Sequence, residues 1–129
     1  MVTGAVRTLL RLEGGAVLAL VVAIYFAQGG SPWLFVPLVI AVDLSMIGYL
    51  AGPRVGAATY NLLHSWVPGA VLIMLGFSLT NGTATIAGTV LAAHVGMDRL
   101  FGYGLKYPTA FADTHLGRIG HRQPAVSPR

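Results

Sequence analysis

The chain has 129 residues, of which 55% are hydrophobic and only 9% are charged, and its mean hydropathy is +0.73. These values lie outside the usual range for soluble globular domains and predict an integral membrane protein. Because a helical span needs about 20 mostly apolar residues, we expect about four spans with short connections and no separate soluble domain.

The absence of cysteine and the distribution of basic residues exclude several classes of function. The sequence has no cysteine, so disulfides, thiolate metal sites and cysteine nucleophiles are excluded, and any metal must be bound through nitrogen and oxygen. The net charge is +4, which alone would be compatible with nucleic-acid binding. The basic residues lie at the ends of the apolar stretches, however, as membrane topology requires, so we predict no nucleic-acid partner.

Four apolar stretches are predicted to be membrane-spanning helices, at about 13–28, 32–50, 55–79 and 84–105. The turn-like sequences GGS and TNGT separate the first pair and the last pair. The sequence therefore predicts an all-α four-helix membrane bundle, with residues 1–129 as a single domain that ends in a short tail at 106–129. A secretory signal peptide is the alternative for the first stretch, but no convincing cleavage site follows it.

Basic residues alternate between the two sides of the predicted bundle. The GGS and TNGT connectors carry none, and all eight lie in the N-terminal segment, around the 51–54 connector or after residue 98, namely at Arg7, Arg11, Arg54, Arg99, Lys106, Arg118, Arg122 and Arg129. The positive-inside rule then places both termini in the cytoplasm, and we predict a multi-pass protein of a bacterial inner membrane.

Ionisable residues inside the predicted spans are the strongest functional signal. A carboxylate at mid-membrane costs at least ~2.5–3.5 kcal/mol, so Asp43 and Asp98 are expected to face the bundle interior and to have partners. At the helical rise per residue, these two carboxylates, Asn61, His64 and His94 all lie about 9–16 Å from the cytoplasmic ends of their spans. The sequence therefore predicts one polar layer in the cytoplasmic half of the bundle.

Two imidazoles and two carboxylates match the ligand set of a Zn, Fe or Mn site that keeps one position for water. We predict that His64, His94 and Asp98 ligate such a metal. Asp43 is predicted to be a further ligand or a general base, and Asn61 to orient the substrate at the catalytic site. The function predicted from this layer is a metal-dependent enzyme that acts on a lipid-soluble or small substrate.

Three alternatives compete with this function. The charged groups could form ion pairs that only fix the register of the helices. His64 and His94 could be the axial ligands of a haem, although neighbouring carboxylates argue against it. Proton-coupled transport also uses Asp and His residues within spans.

Two features of the spans concern helix packing. Gly88, Ala92 and Gly96 form a stripe of small residues, which predicts close packing against another helix or a homodimer contact. Pro68 removes the hydrogen bond to the carbonyl of His64, so we expect a kink there and another partner for that carbonyl.

The tail has two interpretations. Pro108 would end the fourth helix, so KYPTAFADTHLGRIG at 106–120 is predicted to fold back across the cytoplasmic mouth, with Asp113 and His115 near the layer. Alternatively, it is an interfacial segment anchored by Phe111 and Leu116. The last ten or so residues are predicted to be disordered.

Three long stretches carry a resemblance: LEGGAVLAL, DLSMIGYLAGPRVGAATYNLLHSW and AHVGMDRLFGYGLKYPTAFADTHLG. They resemble a family of small bacterial four-helix membrane proteins catalogued as domain of unknown function 4260, over about residues 8 to 120. The resemblance implies no reaction. It does imply that the family's pattern includes the five residues of the layer and Lys106, Asp113 and His115, which we take as lid or substrate contacts.

Overall fold

A computed structural model of the protein describes residues 2–120, so the predicted disorder of the last residues lies outside the described part of the chain. The elements in chain order are α1 (Gly4–Ala27), α2 (Pro32–Ala41), a 3₁₀ segment (Val42–Ala51), α3 (Pro53–His64), α4 (Trp66–Ser78), α5 (Gly82–Phe101), β1 (Asp113–Thr114) and β2 (Gly117–Arg118).

The helices confirm the predicted all-α membrane fold. Three helical stretches are long and apolar enough to cross a membrane, at Gly4–Ala27, Pro32–Ala51 and Pro53–Ser78. The fourth unit, α5, has the necessary length but a more polar sequence. It packs against all the other α-helices, and ten of its 20 residues are buried. Because protein rather than lipid surrounds much of α5, polar residues such as Thr89 and His94 are tolerated there.

The fourth helix ends earlier than predicted, at Phe101 instead of 105. Gly102 adopts a left-handed conformation with φ 93°, which is favourable for glycine, and closes the helix. Its N–H donates to Arg99 O, and Tyr103 N–H donates to Asp98 O at 2.7 Å, the two bonds of a Schellman motif. The segment after α5 therefore begins within one turn of Asp98, a residue of the polar layer.

The second helical unit changes from α-helix to 3₁₀ helix at Val42, which the sequence analysis did not anticipate. A 3₁₀ helix has three residues per turn, so residues spaced by three lie directly above one another. Asp43, Met46 and Tyr49 consequently share one face, and this face is turned towards the tail, where the rings of Tyr49 and Phe111 lie 5.2 Å apart.

The third helical unit is interrupted at Ser65, which has extended backbone angles (φ −90°, ψ 164°) and separates α3 from α4. Pro68 lies in the first turn of α4, where its missing N–H is tolerated. The freed carbonyl of His64 accepts a hydrogen bond from Nη2 of Arg99 at 2.9 Å. The helix is therefore interrupted where only a kink was expected, and the expected new partner of this carbonyl is a buried guanidinium.

The stripe of small residues on α5 packs inside the chain. A Cβ added at Gly88 would lie 2.7 Å from Ile73 N on α4, and one at Gly96 would lie 2.7 Å from Gly14 O on α1. Ala92 is buried at the same face. The stripe thus serves two helix crossings within one molecule, and the prediction that it forms a homodimer contact is corrected because these residues are not accessible to a second copy.

The tail folds back on the end of the bundle, as in the first of its two interpretations. Strands β1 and β2 form an antiparallel hairpin, and an isolated bridge pairs Lys106 with Thr114. The N-terminal segment is joined to the hairpin, because Val2 N–H donates to His115 O at 3.0 Å. Leu116 is fully buried and therefore cannot anchor the tail in the membrane, whereas Phe111, the other anchor of that alternative, is 45% exposed.

Candidate metal centre

Four ionisable side chains from the 3₁₀ segment, α3 and α5 meet at one point inside the bundle. Nε2 of His64 lies 3.0 Å from Nε2 of His94. Oδ1 of Asp43 lies 3.3 and 3.1 Å from these two nitrogens. Oδ2 of Asp98 lies 3.7 and 3.3 Å from them. The structure therefore brings together four of the five residues predicted to form the polar layer.

The burial of the four groups differs, which gives the cluster one open side. Both imidazoles are buried, and the side chain of Asp98 is only 13% exposed. The side chain of Asp43 is 44% exposed. Any small molecule reaching the cluster would thus meet Asp43 first.

Hydrogen bonds on the far side of each ring fix its tautomer. Nδ1 of His94 donates to Val39 O at 2.6 Å, and Nδ1 of His64 donates to Tyr60 O at 2.9 Å. A carbonyl oxygen only accepts, so the proton of each neutral ring is on Nδ1 and the lone pair of Nε2 points into the cluster. Backbone carbonyls that orient imidazoles in this way are the usual outer partners of metal-ligating histidines.

The four inward-facing atoms of Asp43, His64, His94 and Asp98 are all acceptors. The two Nε2 atoms lie closer to each other and to the carboxylate oxygens than their lone pairs permit without a cation or protons between them. The distance between the two Nε2 atoms and the four distances from them to the carboxylate oxygens run from 3.0 to 3.7 Å. A tetrahedral ion with ligands at about 2.0–2.1 Å has ligand–ligand edges of about 3.3–3.4 Å. The ligand atoms of Asp43, His64 and His94 all lie within 4.8 Å of one another and could hold one metal ion, and Oδ2 of Asp98 lies next to both imidazoles.

The same distances argue against the predicted haem alternative. Axial ligands lie on opposite sides of one iron, about 4 Å apart at ordinary metal–nitrogen distances. The Nε2 atoms of His64 and His94 are 3.0 Å apart, with a carboxylate oxygen next to both. This leaves no room for a porphyrin plane between the rings.

Tyr60 and Arg99, which the sequence analysis did not single out, hold the cluster in place. The ring of Tyr60 stacks on that of His64 at a centroid distance of 3.7 Å, and its hydroxyl donates to Oδ2 of Asp98 at 3.3 Å. The guanidinium of Arg99 donates to the carbonyls of His64 and Tyr103, both at 2.9 Å. The i,i+4 spacing of Tyr60 and His64 was a detectable signal, because such residues share a helix face.

A cavity of about 350 Å³ opens from the cluster towards the tail. Its lining combines both carboxylates of the cluster with aromatic, apolar and basic side chains: Asp43, Met46, Tyr60, Asp98, Tyr103, Lys106, Phe111 and Ile119. The chain after α5 supplies four of these residues, Tyr103, Lys106, Phe111 and Ile119, so this segment forms one wall of the cavity.

Asn61 and Lys106 join the tail to α3. Nδ2 of Asn61 donates to Lys106 O at 2.8 Å, and Lys106 N–H donates to Oδ1 of Asn61 at 2.7 Å. Both ends of this amide are therefore engaged with the backbone of the tail, so Asn61 anchors the tail to α3, and its catalytic or substrate-orienting role stays a prediction.

Lys106 is the one predicted lid residue that lines the cavity. Its ammonium donates to Phe111 O at 2.8 Å and lies 3.6 Å from the centroid of the Phe111 ring. Burial lowers the pKa of Lys106, whereas the carboxylates of Asp98 and Asp43 act in the opposite direction.

Asp113 and His115, the other two predicted lid residues, make their polar contacts with neighbouring residues of the segment after α5. Asp113 accepts a hydrogen bond from Thr109 at 2.6 Å and forms an ion pair with Arg118 at 3.4 Å. Nδ1 of His115 accepts from Leu105 N–H at 2.9 Å. Neither side chain lies with the cluster, because Asp113 contacts the side chains of Thr109 and Arg118 and His115 contacts the backbone of Leu105.

Comparisons with known proteins identify the family of the chain but give no reaction or ligand. Residues 7–119 match the family described as Domain of unknown function (DUF4260). No curated protein and no solved structure matches the chain. The match covers most of the sequence, including all four residues of the cluster and the tail residues that line the cavity. The chain therefore belongs to the DUF4260 family, the family that its sequence motifs indicated.

Proposed function

We propose that Asp43, His64, His94 and Asp98 bind a divalent transition metal, with zinc, iron and manganese as the candidates. The observation that carries this proposal is the close approach of two Nε2 lone pairs, 3.0 Å apart, between two carboxylate oxygens. A single divalent cation satisfies all four acceptors and cancels both negative charges.

We propose further that the site belongs to a metal-dependent enzyme acting on a small or lipid-soluble substrate. Catalytic metal sites keep one position for water or substrate. Asp43 is the most exposed member of the cluster and lines the cavity. We therefore assign it as the ligand that leaves the metal when water or substrate binds and that then acts as a general base. A bound metal would supply an acidic water molecule to that carboxylate.

The topology proposed for this enzyme puts the cavity on the cytoplasmic side of a bacterial inner membrane. The N-terminal segment and the tail occupy the same end of the bundle, since Arg11 Nε donates to Leu100 O at 2.8 Å and Val2 pairs with His115. This shared end supports equal sidedness of the two termini. Reporter fusions at the C-terminus should be active in the cytoplasm, and activity on the outer side would overturn the orientation.

Metal analysis of the purified protein tests the site. We expect about one zinc, iron or manganese ion per chain, with loss of the ion in His94→Ala and Asp98→Asn. Asp113→Asn is the matched control, because it removes a carboxylate that pairs within the tail instead of in the cluster. If the wild-type protein contains no metal and binds none of the three ions on addition, the cluster is an imidazolium–carboxylate device for helix register and the proposal fails.

A further inference from the structure

Lys106 gives the cavity a positive charge that is held in a fixed position. The residue is only 4% exposed, and its ammonium lies 4.7 Å from the centroid of the Tyr60 ring in addition to its contact with Phe111. A buried lysine is rare unless it is paired. Its hydrogen bond to Phe111 O uses one of three N–H donors, and the side chain lines the same cavity as Asp43 and Asp98.

The charges around the cavity balance only without a metal. The carboxylates of Asp43 and Asp98 are offset by the ammonium of Lys106 and the buried guanidinium of Arg99. Adding a divalent ion leaves two uncompensated positive charges in a site that protein largely shields from water. Charges interact strongly in such surroundings, so the metal-loaded site favours an anion.

A second cavity, of about 370 Å³, lies next to the first and adds basic residues to its surroundings. It shares Tyr103 and Ile119 with the first cavity, and its lining includes Arg7 and Arg118. Arg118 also pairs with Asp113, while 53% of its side chain remains exposed. A cleft lined by one sign of charge raises the local concentration of ions of the opposite sign.

We propose that the metal-loaded site takes an oxyanion of the phosphate monoester class, and that Lys106 binds it opposite the metal. This inference rests on the proposed metal site. A phosphate monoester carries about −1.5 to −2 charges at neutral pH, which matches the two positive charges of the loaded site. Its three oxygens allow simultaneous contact with a metal and an ammonium. The monoester belongs either to a lipid headgroup or to a soluble molecule.

Cobalt substitution tests the inference separately from the metal site. The visible absorption of bound Co²⁺ reports metal binding, and its change on titration with inorganic phosphate reports the anion. We expect a saturable change in the wild-type protein and phosphate binding weaker by about tenfold or more in Lys106→Met, because one charge-assisted hydrogen bond is lost. Lys106→Arg, which keeps the charge, should restore much of the response. Arg54→Met, an exposed arginine outside both cavity linings, is the matched control.

The outcomes are distinguishable. Failure to bind Co²⁺ refutes the metal site itself. Normal Co²⁺ binding with no phosphate response, or with equal phosphate affinity in wild type and Lys106→Met, overturns the oxyanion inference and leaves the metal site standing. Detergent micelles containing phosphatidic acid, compared with micelles of phosphatidylcholine alone and with a soluble sugar phosphate, then identify the source of the phosphate. A response to either monoester supports the inference.

Discussion

The hydroxyl of Tyr60 connects the cavity wall to the cluster, and removing it is the sharpest test of how the metal site is held. Tyr60→Phe keeps the ring that stacks on His64 at 3.7 Å and deletes only the donor to Oδ2 of Asp98. The variant should therefore fold normally while the Asp98 carboxylate loses its orientation.

The expected magnitude follows from the bond length. A hydrogen bond to a charged group contributes about 1.5–3 kcal/mol, but the Tyr60–Asp98 bond is 3.3 Å long, beyond the usual O–H···O range. We therefore expect a loss at the lower end, about 1.4 kcal/mol, which corresponds to tenfold weaker metal binding. This agrees with the range of about 10–100-fold for outer-shell partners of metal ligands.

Competition titration of Zn²⁺ or Co²⁺ against a chelator of known affinity measures the effect, with thermal unfolding of the metal-free protein as a measure of folding. Tyr107→Phe, an exposed tyrosine of the tail, is the control and should bind metal like the wild type. Unchanged metal affinity in Tyr60→Phe would refute this account of Asp98. A lower unfolding temperature in the metal-free protein, without a change in metal affinity, would mean that the hydroxyl stabilises the fold but does not orient the metal ligand.

Three further predictions concern the tail and the helix crossings. Asn61→Leu removes both hydrogen bonds to the Lys106 backbone, each worth about 0.5–1.5 kcal/mol, so hydrogen exchange at the Lys106 amide should accelerate while the cluster still binds metal. Gly96→Leu places a side chain 2.7 Å from a carbonyl of α1 and should destabilise the bundle by ~1–3 kcal/mol or more in thermal unfolding. Burial lowers the pKa of His115 from its ordinary 6.5, so the detached tail binds a proton before the docked tail does. Docking should weaken as the pH falls below about 6.5, seen as lower exchange protection at the Leu105 amide.

Each of these has a matched control. Asn81→Ala removes an amide that caps the start of α5, at 3.0 Å from Ala84 N, and should leave the Lys106 amide protected. Gly82→Ala adds a Cβ with no atom within 4 Å and should not destabilise the bundle. His115→Asn keeps a side-chain acceptor for Leu105 N–H but does not titrate, so protection there should become independent of pH. Persistent pH dependence in that variant would exclude His115 as the cause.

The helices and the polar cluster were accessible from the sequence for simple reasons. Long apolar runs fix the helical units, since little else can be stable in lipid. The cost of a carboxylate in an apolar span marked Asp43 and Asp98, and the regular rise of a helix placed His64 and His94 at the same depth. These arguments need only composition and spacing, and they do not depend on how the helices pack.

The remaining features depend on packing and could not be derived from spacing. The 3₁₀ segment places Asp43, Met46 and Tyr49 on one face, but the apolar sequence around them is equally compatible with an α-helix. Asn61 lies at the predicted depth, yet its amide reaches the tail, a contact between segments far apart in sequence. The small residues on α5 predicted close packing without indicating which helices supply the partners.

The irregular helices and the candidate site are parts of one arrangement. α3 ends at His64, so the imidazole enters the cluster from a helix terminus and the carbonyl of the same residue needs a donor. Arg99 supplies that donor from α5, the helix that also carries His94 and Asp98. Pro68 has no N–H, so even a continuous third helix would leave this carbonyl without its internal donor. The bond from Arg99 to this carbonyl therefore explains why a guanidinium is buried beside the cluster, and it joins α3 to α5, the two helices that supply three of the four cluster residues.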